Sequence, residues 1–435
     1  MTTGARDVTT GADRDLVLVT IDCWRHDALE RMPDLRARSG AGEFSRAEAV
    51  CAAPATRGAF GAIFGGRHYP RVYSGFDEVR ADVEPLAAVL SDAGYATGGF
   101  VGSNPFLSAW DGDFDAFWND RLETAPDSPV RTRVRQAAET LRDAANFLRF
   151  RGRVPAENVV GRAREWYERQ SAPRFLWVHL MDAHVPFFPG GRRALRTGPL
   201  SVYRSHWRFD RDPESLTDAD RRTLRECYER SLGFLDDQLA SGLAFLDDDA
   251  ALALVGDHGE EFDHGAFGHA RLYDETVRVP LLTRNVAPVT DGDTVRQIDL
   301  AATMLSALDL SVPEEWTGRP HDGTVRGAFM LNHSPQFEEI YAGLRTEQYK
   351  VIRTTDAETG RLVREECYDL RADPDEQRDL ADGRVDRSED RVQGDLARRL
   401  DDFLDDEELQ AGIRERPRDN VSAVVEDRLD ALGYK

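Results

Sequence analysis

Residues able to hold a divalent cation gather at three places in the sequence. The tightest is Gly256-Asp257-His258-Gly259, where a carboxylate and an imidazole stand side by side on a short loop. Both can face one ion, and a mixed oxygen and nitrogen pair suits Zn, Mn or a similar divalent metal. Taken alone, such a pair is equally a turn aspartate beside a surface histidine; His264 and His269 follow closely and strengthen the metal reading. Asp22, at the end of an apolar run, is the second place, as a metal ligand or the cap of a helix. The third is Thr56, in Ala52-Ala53-Pro54-Ala55-Thr56-Arg57-Gly58-Ala59-Phe60. At a helix N-terminus, whose N–H groups and dipole favour anions, a hydroxyl next to a cation can act as a nucleophile near neutral pH. It can equally be an ordinary N-cap.

The elements that must position these residues alternate. Leu16-Val17-Leu18-Val19-Thr20-Ile21 is a continuous β-branched, apolar run, the pattern of a strand buried on both faces of a parallel sheet. Glu84 to Gly94 has helical periodicity and a glycine stop, and Ala96 to Val101 follows as a strand. Amphipathic helices are expected over Arg131 to Phe150 and Glu157 to Gln170, then a strand over Arg174 to Leu180. A long helical stretch, Asp218 to Leu246, leads into a strand from Ala250 to Val255. Helix and strand in alternation predict a mostly parallel, doubly wound α/β sheet covered on both faces. Ligands of such sheets bind beyond the strands' carboxyl ends. Asp22, the His179 to His184 segment and Asp257-His258 each follow a strand at that edge, which favours metal ligation for the aspartates. Past about Pro320, Glu338 to Arg345, Tyr349 to Thr355 and Cys367 to Leu370 read as short strands, and Ser388 to Asp405 as a charged helix. The expected organisation is a flexible N-terminus (1–14), a catalytic domain (15–330) and a small C-terminal α+β subdomain (331–435).

Composition narrows the class. The chain has 435 residues, 41% hydrophobic and 9% aromatic, as a globular protein does. Acidic residues number 79 against 56 basic, for a net charge of −23, and lysine occurs only at Lys350 and Lys435. A surface of that sign repels nucleic acid and anionic membranes. It reads as a halophile-like solvation strategy, suited to a high-salt cytoplasm. Cys23, Cys51, Cys227 and Cys367 are too scattered for a disulfide framework or a cysteine zinc site. With no apolar N-terminal stretch and no run long enough to span a bilayer, a soluble, cytoplasmic protein is expected.

At this point the sequence resembles the alkaline phosphatase superfamily, in its sulfatase-like branch. The resembling blocks run in order along nearly the whole chain: Val17 to Asp22 with Arg25 and Asp27; Thr56 through Gly66-Arg67-His68-Tyr69-Pro70; Leu86 to Thr97; Val178 to Pro186; Asp257 through His269; Tyr273 to Pro280; Asp299 to Thr303; and Tyr368 to Pro374. The resemblance implies an alkaline-phosphatase-like α/β/α sandwich, a divalent metal (Zn, Mn, Ca or Mg) and cleavage of sulfate or phosphate esters, borne by small molecules, lipids or glycans. It implies Asp22, Asp257 and His258 as ligands, with His184 and His269 on the anion or leaving oxygen. Two departures stand out. Counting back ten residues from Gly66 places Thr56 where sulfatases carry the cysteine that becomes formylglycine, and Cys51 lacks the arginine that maturation requires. Cys23 stands where a second aspartate is usual.

Thr56 therefore joins the ligands as metal-bound nucleophile, and phosphoester chemistry, a phosphodiesterase for example, is expected over sulfate. A formylglycine hydrate expels sulfate by collapsing to an aldehyde; a threonine cannot. The alternatives are a sulfuric ester hydrolase and a non-catalytic, metal-stabilised binding protein. Several residues keep two readings. Asp182 can serve a second metal or orient His184, and His264 can be a second-site ligand or a solvated loop residue. Asn104 can hydrogen-bond substrate or shape a turn, Arg25 and Arg57 can clamp an anion or lie on the surface, and His179 reads as a core residue.

Overall fold

The computed structural model describes residues 14–75, 78–119, 154–187, 198–324, 326–333, 338–381 and 387–414. The helix expected over Arg131 to Phe150 and all but the last residue of the 1–14 segment lie outside them. Eight strands form the main sheet: β1 Leu16–Ile21, β2 Ser45–Val50, β3 Ala96–Val101, β4 Ala116–Asn119, β5 Arg174–Leu180, β6 Ala251–Gly256, β7 Arg278–Arg284 and β8 Thr294–Arg296. Their order is β4-β3-β5-β1-β6-β7-β2-β8. From β4 to β6 all pairs are parallel; β7 runs antiparallel to both β6 and β2. The doubly wound expectation holds, with one reversed strand that the sequence reading did not include.

Alternation along β1 divides the core. Leu16 and Leu18 join one buried cluster with Phe60, Phe64, Leu86 and Leu300, while Val17, Val19 and Ile21 join another with Val159, Leu232 and Leu235. Helices Thr56–Gly65, Leu86–Asp92 and Leu300–Ala307 thus cover one face, and Ala156–Tyr167 and Asp218–Gly242 the other. Each buried leucine or phenylalanine contributes roughly 1.5–3 kcal/mol.

A second sheet, all antiparallel, has the order β12-β11-β10-β9: β9 Ala328–Asn332, β10 Glu339–Arg345, β11 Tyr349–Asp356 and β12 Leu362–Asp369. Helix Arg387–Leu404 packs Leu396 and Leu400 against Leu344 and Val351 of this sheet. β9 also reaches the main domain, donating from Leu331 N–H to the Ala52 carbonyl at 2.9 Å. Among the described residues, no helix is long and apolar enough to cross a membrane.

Candidate active site

Register brings the chemistry to one edge. β1 pairs Ile21 with Leu180 of β5 and with Gly256 of β6. The ladder runs one residue further, Asp22 N–H donating to Leu180 O (2.9 Å) and Asp257 N–H to Ile21 O (3.2 Å). Asp22 and Asp257 are therefore fixed by sheet backbone rather than by mobile loops, and both are fully buried. Gly259 lets the next turn close: a Cβ there would lie 2.1 Å from the Glu275 carbonyl.

Thr56 opens the helix Thr56–Gly65, but Ala55 is the N-cap and no side chain caps it. The Thr56 hydroxyl is thus not spent on capping. It donates toward Asp22 Oδ2 at 3.3 Å and stands 3.4 Å from His258 Nε2. The helix is seated by Phe60 and Phe64, whose rings lie 5.2 and 4.7 Å from that of Trp177. It ends at Gly66, φ 60°, where a Cβ would meet Trp316 at 2.4 Å.

His258 presents a defined face. Its Nδ1 is 2.9 Å from the Gly259 carbonyl, to which it donates, so the Nε2 lone pair points at Asp22 Oδ1 (3.6 Å) and Asp257 Oδ2 (3.7 Å). Burial, with His269 beside it, lowers its pKa to about 3, keeping the ring neutral. Burial opposes ionisation of Asp22, but His184, His179 and His258 outweigh it and hold its carboxyl well below the usual range. Burial and the charge of Asp22 push Asp257 well above that range. Two carboxylates so placed repel unless a cation lies between them.

Among the described residues, four buried atoms at this edge lack a hydrogen-bond partner: Asp22 Oδ1, Asp257 Oδ2, His179 Nε2 and Glu260 Oε1. Leaving one such atom unsatisfied costs about 1–3 kcal/mol, more for a charged group. Asp22, His179 and Asp257 each offer a ligand atom within 4.8 Å of the others. The donor set therefore fits a divalent cation.

His184 and His269 flank the cluster, their rings 5.3 Å apart, with His269 4.5 Å from the His258 ring. Burial disfavours the charged form of His269, but its hydrogen bond to Glu260 outweighs this and raises its pKa. Asn104 takes its turn role, its Oδ1 accepting from Phe106 N–H, and its Nδ2 donates to Asp22 Oδ2 at 3.3 Å.

Other expected residues lie elsewhere. His264 is 2.5 Å from Glu275, stacks on Tyr273 at 3.8 Å and reaches the Glu376 carbonyl; the Glu275 carboxylate holds it away from the metal cluster. Asp182 accepts from Ala156 N–H at the start of Ala156–Tyr167. Arg57 packs over Tyr73 and donates to the Gly75 carbonyl. Arg25 is buried, not on the surface, and pairs with Asp27, Glu275 and Asp263.

Sequence reasoning missed two members. His179 Nε2 is 3.6 Å from Asp22 Oδ2, while Nδ1 meets Thr20 Oγ1 at 2.9 Å. The signal was available: a histidine near the end of an otherwise apolar buried strand needs polar partners on both nitrogens. Glu260, wholly buried beside His269, had no signal beyond adjacency to the Asp-His pair. Cys51 lies off the cluster, its thiol 3.5 Å from Gln297 Nε2 and pushed up well above its normal pKa by burial.

Residues 24–310 match the Sulfatase family, and residues 262–406 match "N-sulphoglucosamine sulphohydrolase, C-terminal". No curated protein matches the chain. Among solved structures, a protein in complex with its substrate D-glucosamine-2-N,6-O-disulfate is 14% identical with TM-score 0.66, covering 92% of this chain and 98% of its own. The phosphonate monoester hydrolase of Agrobacterium radiobacter is 17% identical with TM-score 0.64, covering 92% and 96%. That of Silicibacter pomeroyi is 18% identical with TM-score 0.60, covering 93% and 96%. At such identities the likeness establishes the shared fold, and the family match over the strand edge that carries Asp257 and His258 adds the rest. This chain belongs to the Sulfatase family and is an ester hydrolase of the alkaline phosphatase superfamily.

Proposed function

We propose that the chain is a metal-dependent phosphoester hydrolase or phosphotransferase with Thr56 as its nucleophile. The observation that carries this reading is the uncapped Thr56 hydroxyl, within 3.4 Å of both Asp22 and His258 at a helix N-terminus. Asp22, Asp257 and His258, with His179 beside Asp22, would hold the cation. When bound, a divalent ion there lowers the pKa of a neighbouring hydroxyl and neutralises phosphoryl charge.

The protein's own groups supply the remainder. Thr56 O–H donates toward Asp22 Oδ2, which leaves its lone pairs for in-line attack. The Thr56 Oγ1–P bond forms as the hydroxyl proton passes along that hydrogen bond to Asp22 Oδ2 and the bond to the leaving oxygen breaks. The first-turn N–H groups of Thr56–Gly65 face the phosphoryl oxygens. His184 and His269 donate to the phosphoryl and leaving oxygens, and the proton on His269, supported by Glu260, goes to the leaving group. Water or an acceptor alcohol then attacks phosphorus and releases Thr56. A threonine ester cannot be cleared by collapse to an aldehyde, so this route requires attack at the acid centre itself. The neighbours that act on phosphonate monoesters support an anionic ester of that size.

Sulfuric ester hydrolysis is the second reading, favoured by the neighbour bound to a disulfated glucosamine. Assays with p-nitrophenyl phosphate, bis-p-nitrophenyl phosphate and p-nitrophenyl sulfate, on metal-stripped protein reloaded with Zn, Mn, Ca or Mg, separate the two. Phosphoester turnover that needs metal and is lost in Thr56→Ala is expected. Sulfate turnover that survives Thr56→Ala would sink the assignment.

A further inference from the structure

A single buried amide grips the backbone between Asp257 and His258. β7 pairs with β6 from Leu252 to Val255, and the ladder ends there. The carbonyls of Gly256 and Asp257 lie beyond it, and Gln297 Nε2 takes both, at 3.3 and 2.7 Å. Gln297 is wholly buried and directly follows β8, the strand at the far edge of the sheet. Its other end is tied as well: Oε1 accepts from Ala52 N–H at 3.3 Å, on the segment that leads into Thr56. The turn Gln297–Asp299 is itself anchored. Arg296 donates twice to the Asp299 carboxylate, at 2.7 Å each, and the Thr303 hydroxyl donates to the Asp299 carbonyl at 2.7 Å. Among side chains of this length, glutamine supplies donor and acceptor from one uncharged planar group.

The grip reaches the Asp257 carboxylate through one peptide unit. A peptide is planar, so holding its carbonyl also fixes its N–H. In the unit that joins Asp257 to His258, the carbonyl accepts from Gln297, and the N–H donates back to Asp257 Oδ1 at 2.8 Å. Oδ1 is thereby occupied, and Oδ2 is left turned toward His258 Nε2 at 3.7 Å. Removing the amide releases the carbonyl from its partner, and as the peptide turns the carboxylate turns with it. An amide that only satisfied the end of a strand would contribute to stability alone.

We propose that Gln297 is a positioning residue for the metal centre: its amide, anchored on Ala52, sets the Asp257–His258 peptide so that Asp257 Oδ2 faces the ion. The proposal rests on the reading of Asp22, Asp257 and His258 as ligands, and it adds a residue from the opposite edge of the sheet that touches neither ion nor substrate. Residues that orient a ligand in this way typically alter metal affinity by roughly 10–100-fold when replaced.

The test is calorimetric titration of metal-stripped, full-length protein with Mn2+, with urea unfolding of the same samples. Gln297→Met keeps the length of the side chain and removes both ends of the amide; it should weaken Mn2+ binding by roughly 10–100-fold. Gln297→Asn keeps the amide but shortens its reach, should weaken the ion as well, and guards against a methionine variant that does not fold. Thr303→Val is the matched control, because it loosens the same turn without touching Asp257. It should lower the urea midpoint and leave the Mn2+ affinity unchanged. Wild-type affinity in the folded Gln297 variants overturns the proposal. So does a Thr303→Val that weakens the ion as much, since the effect would then belong to the turn and not to the amide. A wild type that binds no Mn2+, or Asp257→Asn with undiminished affinity, overturns the metal centre itself and this proposal with it.

Discussion

Two of the places where the protein buries charge are treated oppositely. Beneath the second sheet, Lys350 Nζ meets Asp274 Oδ1 at 2.6 Å, Glu376 Oε1 at 2.5 Å and the Leu272 carbonyl at 2.9 Å, while Arg345 grips both oxygens of Asp274. Here cations stand among the carboxylates, and the cluster pins the second sheet to the turn that follows the catalytic loop. Burial still raises Glu376 to about 7 despite Lys350. At the carboxyl edge of β1, β5 and β6, Asp22 and Asp257 face one another, and among the described residues no lysine or arginine bonds to either and four polar atoms lack partners. Buried carboxylates matched by cations hold structure; carboxylates left without them hold a place for something else.

This contrast can be broken by substitution. The largest expected effect is on rate: Thr56→Ala should cut kcat by about 10⁴-fold or more, as loss of a nucleophile does, with little change in the urea midpoint. Lys350→Met should do the reverse, costing about 3–5 kcal/mol in urea unfolding because Glu376 is left buried without its cation. In metal-stripped protein, Asp257→Asn should raise stability by on the order of 1 kcal/mol, since it replaces a carboxyl whose ionisation burial and Asp22 both oppose. A stability loss there would show that the edge is not frustrated. The smallest effect concerns His264. Burial lowers its pKa, but Glu275 outweighs that and raises it. A raised histidine stabilises fully below its unfolded value of about 6.5, and that stability is lost as pH climbs through the folded value. His264→Gln should therefore flatten the stability profile over that window and leave kcat unchanged.

The edge was legible in the sequence because its anchors are strand ends: three continuous apolar runs each stop at a polar residue. Thr56 was legible through its spacing to Gly66. What escaped notice depends on tertiary context. Ser45–Val50 mixes Arg46 and Glu48 into its run, and Thr294–Arg296 is only three residues long, so neither reads as a strand. β9 became visible only through its pairing with β10. His179 reads as filler until Asp22 is placed beside its free nitrogen. His264 reads as a second-site ligand or a loop residue until Tyr273 and Glu275, two residues apart in the sequence, fold back onto it.

The central claim is that Thr56 carries the covalent intermediate. It is tested most directly by acid-quenching the metal-loaded enzyme during turnover of bis-p-nitrophenyl phosphate and sequencing its peptides by mass spectrometry. The account predicts a p-nitrophenylphosphoryl group on Thr56 that forms within one turnover and decays when substrate is exhausted. An unmodified Thr56 peptide throughout turnover, or an aldehyde in place of the Cys51 thiol, would contradict it.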